Sequence, residues 1–132
     1  MRLGTYNVLG LTGYPAAAAK RDLRDPTSGE TVTHFASVFR SLRCDVLALQ
    51  EGVPVAQMQR IARALGVGLA TVPSPENWPG HVLSRYPIIE SRVFSHLAPA
   101  VETEPFSRCA GATLLALPNA ESLCLIVVHL HP

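Results

Sequence analysis

Four residues of this chain combine a chemistry-bearing side chain with a place at the end of a strand-like run. Asn7 lies near the end of Arg2 to Val8, Gln50 and Glu51 close Cys44 to Glu51, and His129 closes Ser122 to His129. The carboxyl ends of strands are where α/β proteins place ligands. A carboxylate, an amide and an imidazole gathered at one sheet edge can hold a hard cation and a phosphate. Mg²⁺ takes one or two carboxylate oxygens and shares the rest of its shell with water and substrate. The ordinary structural reading of the same residues is a Glu51 ending its strand in solvent, an Asn7 opening a side-chain-to-backbone turn, and a His129 satisfied at an edge. A second grouping puts His129 and His131 on one face of a strand, a spacing used by zinc hydrolases.

The elements that must position these residues can be read in order. Arg2 to Val8 is a first strand, followed by Leu9-Gly10-Leu11-Thr12-Gly13-Tyr14-Pro15, whose Gly and Pro residues mark a loop. Ala16 to Ala19 and the charged residues after it read as a polar connection up to Pro26. Thr27-Ser28-Gly29-Glu30 supplies capping residues ahead of Phe35, Val38, Phe39 and Leu42, the spacing of an amphipathic helix. Cys44 to Glu51 is apolar except at its ends, as in a strand buried on both faces. Pro54 then starts a helix with Val55, Met58, Ala62 and Leu65 on one face, stopped by Gly66. Short strands are predicted at Val67 to Val72, Gly80 to Arg85, Ile88 to Ser95, Arg108 to Leu117 and Ser122 to His129, with prolines at their boundaries. The last of these is apolar on both alternating faces, so it should be interior and needs a cover that the remaining residues do not supply.

Composition bounds the answer. At 132 residues, 48% hydrophobic and 16% charged, the chain is expected to form one domain, residues 1–132, with an ordinary core. A net charge of +1 gives no footprint for sequence-independent nucleic-acid binding. No secretory leader is expected, because Met1 and Arg2 run straight into a strand-like stretch. The longest apolar run, Leu123 to Val128, falls well short of the roughly 20 residues of a membrane span. Cys44, Cys109 and Cys124 lack metal-site spacing and read as buried free thiols, which fits a reducing compartment, the cytoplasm.

Four segments together resemble a known superfamily. Thr5-Tyr6-Asn7-Val8, Asp45 to Glu51, Gly80 to Ile88 and Val127-Val128-His129-Leu130 are similar, in order and spacing, to the first motifs of the endonuclease/exonuclease/phosphatase group. That group includes abasic-site endonucleases, secreted deoxyribonucleases, neutral sphingomyelinases and inositol polyphosphate phosphatases. The resemblance implies an α/β fold, the first half of a four-layer α/β/β/α sandwich with a mixed sheet and two flanking helices. It implies that Glu51 binds Mg²⁺ or Mn²⁺, that Asn7 lies beside the metal and orients the phosphate or a catalytic carboxylate, and that His129 contacts the scissile phosphate. Val128 departs from the threonine-like residue usual before that histidine. Ser84 and Arg85 fall in a turn-forming motif, and His81 is a candidate substrate contact.

The family pattern continues with G-D-x-N and S-D-H segments that this sequence does not contain. Losing general-base help alone commonly costs 10²- to 10⁴-fold. The resemblance therefore implies a metal-dependent phosphoesterase as the parent protein, acting on a phosphate ester of undecided kind, with the isolated chain inactive. Half of a sandwich would also leave a sheet uncovered, so self-association, or a purely binding role, is the competing expectation.

Overall fold

A computed structural model of the chain describes residues 1–12, 25, 27–75, 77–94 and 107–130. Among the described residues seven strands form two sheets: β1 (Leu3–Asn7), β2 (Val46–Gln50), β3 (Gly68–Val72), β4 (Gly80–Ser84), β5 (Ile88–Val93), β6 (Ser107–Ala116) and β7 (Ser122–Leu130). The first sheet is mixed, in the order β1-β2-β4-β3, with β1 parallel to β2 and the other pairs antiparallel. The second is an antiparallel meander, β5-β6-β7.

Helices α1 (Gly29–Leu42) and α2 (Val55–Leu65) lie together on one face of the mixed sheet. Ser28 caps α1 by accepting the Thr31 N–H at 3.0 Å, as its residue type predicts. Gly66 closes α2 with the positive φ of 71° that glycine tolerates. Val32, Phe35, Phe39, Met58 and Ile61 pack on Leu47, Leu49 and Leu83 of the sheet. The opposite face carries Val46, Ala48, Val72 and Val82, which close against Cys109, Leu115 and Val127 of the second sheet. Complete burial of side chains such as Leu49, Met58 and Ile61 stabilises the fold by roughly 1.5–3 kcal/mol each.

Three layers are thus present, helices, mixed sheet and antiparallel sheet, in agreement with the α/β sandwich expected. The strand β2 is buried on both faces, as its unbroken apolar run requires. The last strand, β7, pairs with β6 and turns Val127 inward, while Ile126 and Val128 are 63% and 43% exposed on the outer face, the face for which its apolar pattern calls for a cover. One expectation is corrected: Cys124 is exposed and Cys44 half-buried, leaving Cys109 as the buried thiol, its pKa raised by that burial. The Ala16 to Ala19 connection, the Gly13, Tyr14 and Pro15 loop and His131 lie outside the described residues.

Candidate active site

Glu51 is the first residue past β2. The strand ends with Gln50 opposite Asn7 of β1, and the Gln50 amide donates to the Thr5 hydroxyl at 3.0 Å. At Glu51 the backbone turns left-handed, with φ of 52°. A non-glycine residue held there costs on the order of 1–3 kcal/mol and persists only where its surroundings over-determine it. They do so by three hydrogen bonds. The Gly10 N–H donates to the Glu51 carbonyl at 2.7 Å, the Gly52 N–H to the Pro79 carbonyl at 2.8 Å, and the His81 ring to the Val53 carbonyl at 2.8 Å.

The turn delivers the Glu51 carboxylate, 12% exposed, to the space between the sheets, where two residues of the second sheet meet it. His129, on the inner face of β7, brings Nε2 to 3.4 Å from Oε1, and Arg108 of β6 brings a terminal guanidinium nitrogen to 3.5 Å. Both distances exceed those of well-formed N–H···O bonds, so the carboxylate is flanked by potential cations without being tightly held by either. Arg108 sits at an irregularity between Ser107 and Cys109 where the β6 register shifts, and its guanidinium lies 5.7 Å from the centre of the Trp78 ring. Its Nε and the His129 Nδ1 are buried with no hydrogen-bond partner among the described residues. Buried polar atoms normally find partners, so both are positions where an additional group would be accommodated.

The structure thus brings Glu51 and His129 together and adds Arg108 and Trp78, which the motif reading overlooked. A lone arginine ahead of Cys109-Ala110-Gly111-Ala112 in an otherwise small and apolar strand was the available signal. Neither Glu51 nor His129 takes the place assigned by the ordinary structural reading: the carboxylate is not in open solvent, and the imidazole is not satisfied at both nitrogens. Asn7 does open a turn, accepting the Leu9 N–H at 3.0 Å. That turn, with positive φ at Leu9, Gly10 and Leu11, is the one that presents the Gly10 N–H to Glu51. His81 does not fit its expected place as a substrate contact. It is fully buried, with Nδ1 3.0 Å from the Thr71 hydroxyl and Nε2 on Val53. Ser84 forms a turn as expected, its hydroxyl accepting the Tyr86 N–H at 3.0 Å.

The donor chemistry at this edge suits a hard divalent cation. Glu51 supplies a carboxylate and Asn7 an amide oxygen with a second lone pair to offer. Among the described residues no three His, Cys, Asp or Glu side chains converge to form a complete cage. One carboxylate with water completing the shell is the manner of Mg²⁺, and Mn²⁺ accepts the same oxygen donors.

No protein-family model matches the chain, and no curated protein sequence matches it. Solved structures do. The structure of D. rerio TDP2 complexed with single strand DNA product superposes with a TM-score of 0.63 at 21% identity, over 97% of this chain and 45% of that one. ANGEL2, a 2′,3′-cyclic phosphatase, gives a TM-score of 0.67 at 14% identity, over 96% of this chain and 40% of that one. An endonuclease/exonuclease/phosphatase family protein from Bacteroides thetaiotaomicron gives 0.59 at 15% identity, over 94% and 48%. The chain spans less than half the length of each. It has the fold of the N-terminal portion of endonuclease/exonuclease/phosphatase proteins.

Proposed function

We propose that the chain supplies the N-terminal half of a metal-dependent phosphoesterase site. The observation that carries this is the meeting of Glu51, His129 and Arg108 between the two sheets, at the carboxyl end of β2, in a fold shared with phosphatases and a DNA-complexed relative. Glu51 is the residue to hold Mg²⁺ or Mn²⁺, with Asn7, opposite Gln50 at the same sheet edge, as a further oxygen donor. Such an ion, when bound, polarises phosphate oxygens and offsets their charge. His129 and Arg108 are placed to donate to phosphate oxygens, Arg108 as a forked donor steadied on Trp78. The absence of G-D-x-N and S-D-H segments removes the groups that would activate water, so the 132-residue chain alone is expected to be inactive.

Nucleic acid, suggested by the relative's single strand DNA product, is one substrate class, and small phosphodiesters are another. A second reading, a non-catalytic assembly module, draws support from the exposed apolar outer face of the β5-β6-β7 sheet. The test is Mn²⁺ binding followed by electron paramagnetic resonance, alongside hydrolysis of bis(p-nitrophenyl) phosphate. Binding in the wild type, lost in Glu51→Gln, is the expected result. No binding overturns the metal site, and metal-dependent hydrolysis by the isolated chain overturns its inactivity.

A further inference from the structure

His81 lies beneath the turn that carries Glu51, and its contacts can be assigned completely. A carbonyl oxygen only accepts, so the 2.8 Å contact to Val53 requires the proton on Nε2. Burial holds the ring pKa down to about 4, so the ring is neutral near pH 7, and Nδ1 then accepts from the Thr71 hydroxyl at 3.0 Å. The ring belongs to the mixed sheet through the pairing of β4 with both β2 and β3. It lies so close to the turn that a Cβ on Gly52 would stand 2.2 Å from Cδ2 and 2.4 Å from Nε2. The imidazole therefore fixes the height of the Glu51–Val53 backbone above the sheet.

We propose that His81 is a positioning residue for Glu51: through the Val53 carbonyl it holds the left-handed turn that presents the carboxylate between the sheets. This rests on Glu51 being the cation ligand. Groups that orient a metal ligand typically change affinity by about 10- to 100-fold when removed. Glutamine places an amide N–H where Nε2 stands, asparagine places one near Nδ1, and leucine replaces the ring with an apolar group of comparable bulk.

The experiment is Mn²⁺ binding at pH 7 by electron paramagnetic resonance for the wild type, His81→Gln, His81→Asn and His81→Leu, at a temperature where circular dichroism shows each folded. The expected order is a glutamine variant within about threefold of the wild type, and asparagine and leucine variants weakened about tenfold or more. If His81→Leu does not fold, His81→Asn against His81→Gln carries the comparison. Nitrogen-15 NMR of the wild-type imidazole should show the Nε2–H tautomer. Equal affinity in all variants, equal weakening in all, or the Nδ1–H tautomer overturns the proposal while leaving Glu51 as a ligand. A wild type that binds no Mn²⁺ overturns the metal site itself, and the proposal with it.

Discussion

Replacing Gly52 with alanine tests the geometry around Glu51 most directly. The added methyl would stand 2.2 Å from His81 Cδ2, 2.4 Å from Nε2 and 2.9 Å from the Pro79 carbonyl oxygen. None of these is the free end of a flexible side chain. The ring is pinned by two hydrogen bonds, and the carbonyl accepts the Gly52 N–H itself. Overpacking of this kind costs about 1–3 kcal/mol, and breaking the His81–Val53 bond leaves buried polar atoms unmatched at about 1–3 kcal/mol more. Together these give roughly 2–6 kcal/mol. For a chain of 132 residues the entropy of unfolding converts that to a fall in Tm of roughly 7–22 °C. Gly29→Ala is the control: nothing lies within 4 Å of its added methyl, its φ is ordinary, and the change is expected to be neutral or slightly stabilising. Thermal unfolding by circular dichroism, with urea titration as a second measure, reads the difference. A Gly52→Ala protein melting within about 2 °C of the wild type would refute the tight seating of the turn on His81.

Three further outcomes follow. His81 has a folded-state pKa of about 4 against an ordinary 6.5, so the unfolded chain takes up the proton first and stability falls as pH drops from about 6.5 to 4. Urea titrations across that range should show a loss of about 3 kcal/mol in the wild type beyond that in His81→Gln, and parallel profiles would refute the assignment. Arg108→Ala removes one of the two potential cations flanking Glu51 and should tighten Mn²⁺ binding several-fold by calorimetry, the opposite sign to Glu51→Gln; weaker binding would show that Arg108 supports the ligand and does not compete with the ion. Ile126→Lys, on the exposed outer face of β7, should leave Tm within about 1–2 °C and reduce concentration-dependent self-association in sedimentation velocity, whereas an unchanged association would move the contact elsewhere.

Both helices were legible in the sequence because a 3.6-residue period and local capping chemistry announce them: Ser28, Phe35, Phe39, Met58 and Gly66 stand where the pattern puts them. Strand existence was legible for the same local reason. The division of seven strands into two sheets was not, since β1 joins β2 across about forty residues and no local pattern states which strands pair. At the site, Glu51 and His129 were visible because each ends a strand. Arg108 was marked only as a lone arginine in a small, apolar strand; its meeting with Glu51 depends on how the two sheets pack, which no local pattern states. His81 was misplaced for a related reason: a histidine facing a ligand and one buried under a turn look alike in sequence. Gly52, immediately after the left-handed Glu51, was the local sign that something presses on the turn from below.

The exposed first strand bears on how long the site stays assembled. β1 has five residues and is mostly exposed, and among the described residues it lies at the edge of its sheet with β2 as its one strand neighbour. Edge strands so exposed open by local fluctuation at a free energy below that of global unfolding. The turn that follows does not open with it: Val8 and Leu11 are buried in the core under the helices, which keeps the Gly10 N–H against the Glu51 carbonyl. In native-state hydrogen exchange the amides of Leu3 to Asn7 should then exchange ahead of that of Gly10 and ahead of β2 and β4. The Glu51 geometry would outlast the fluctuations of the strand beside it.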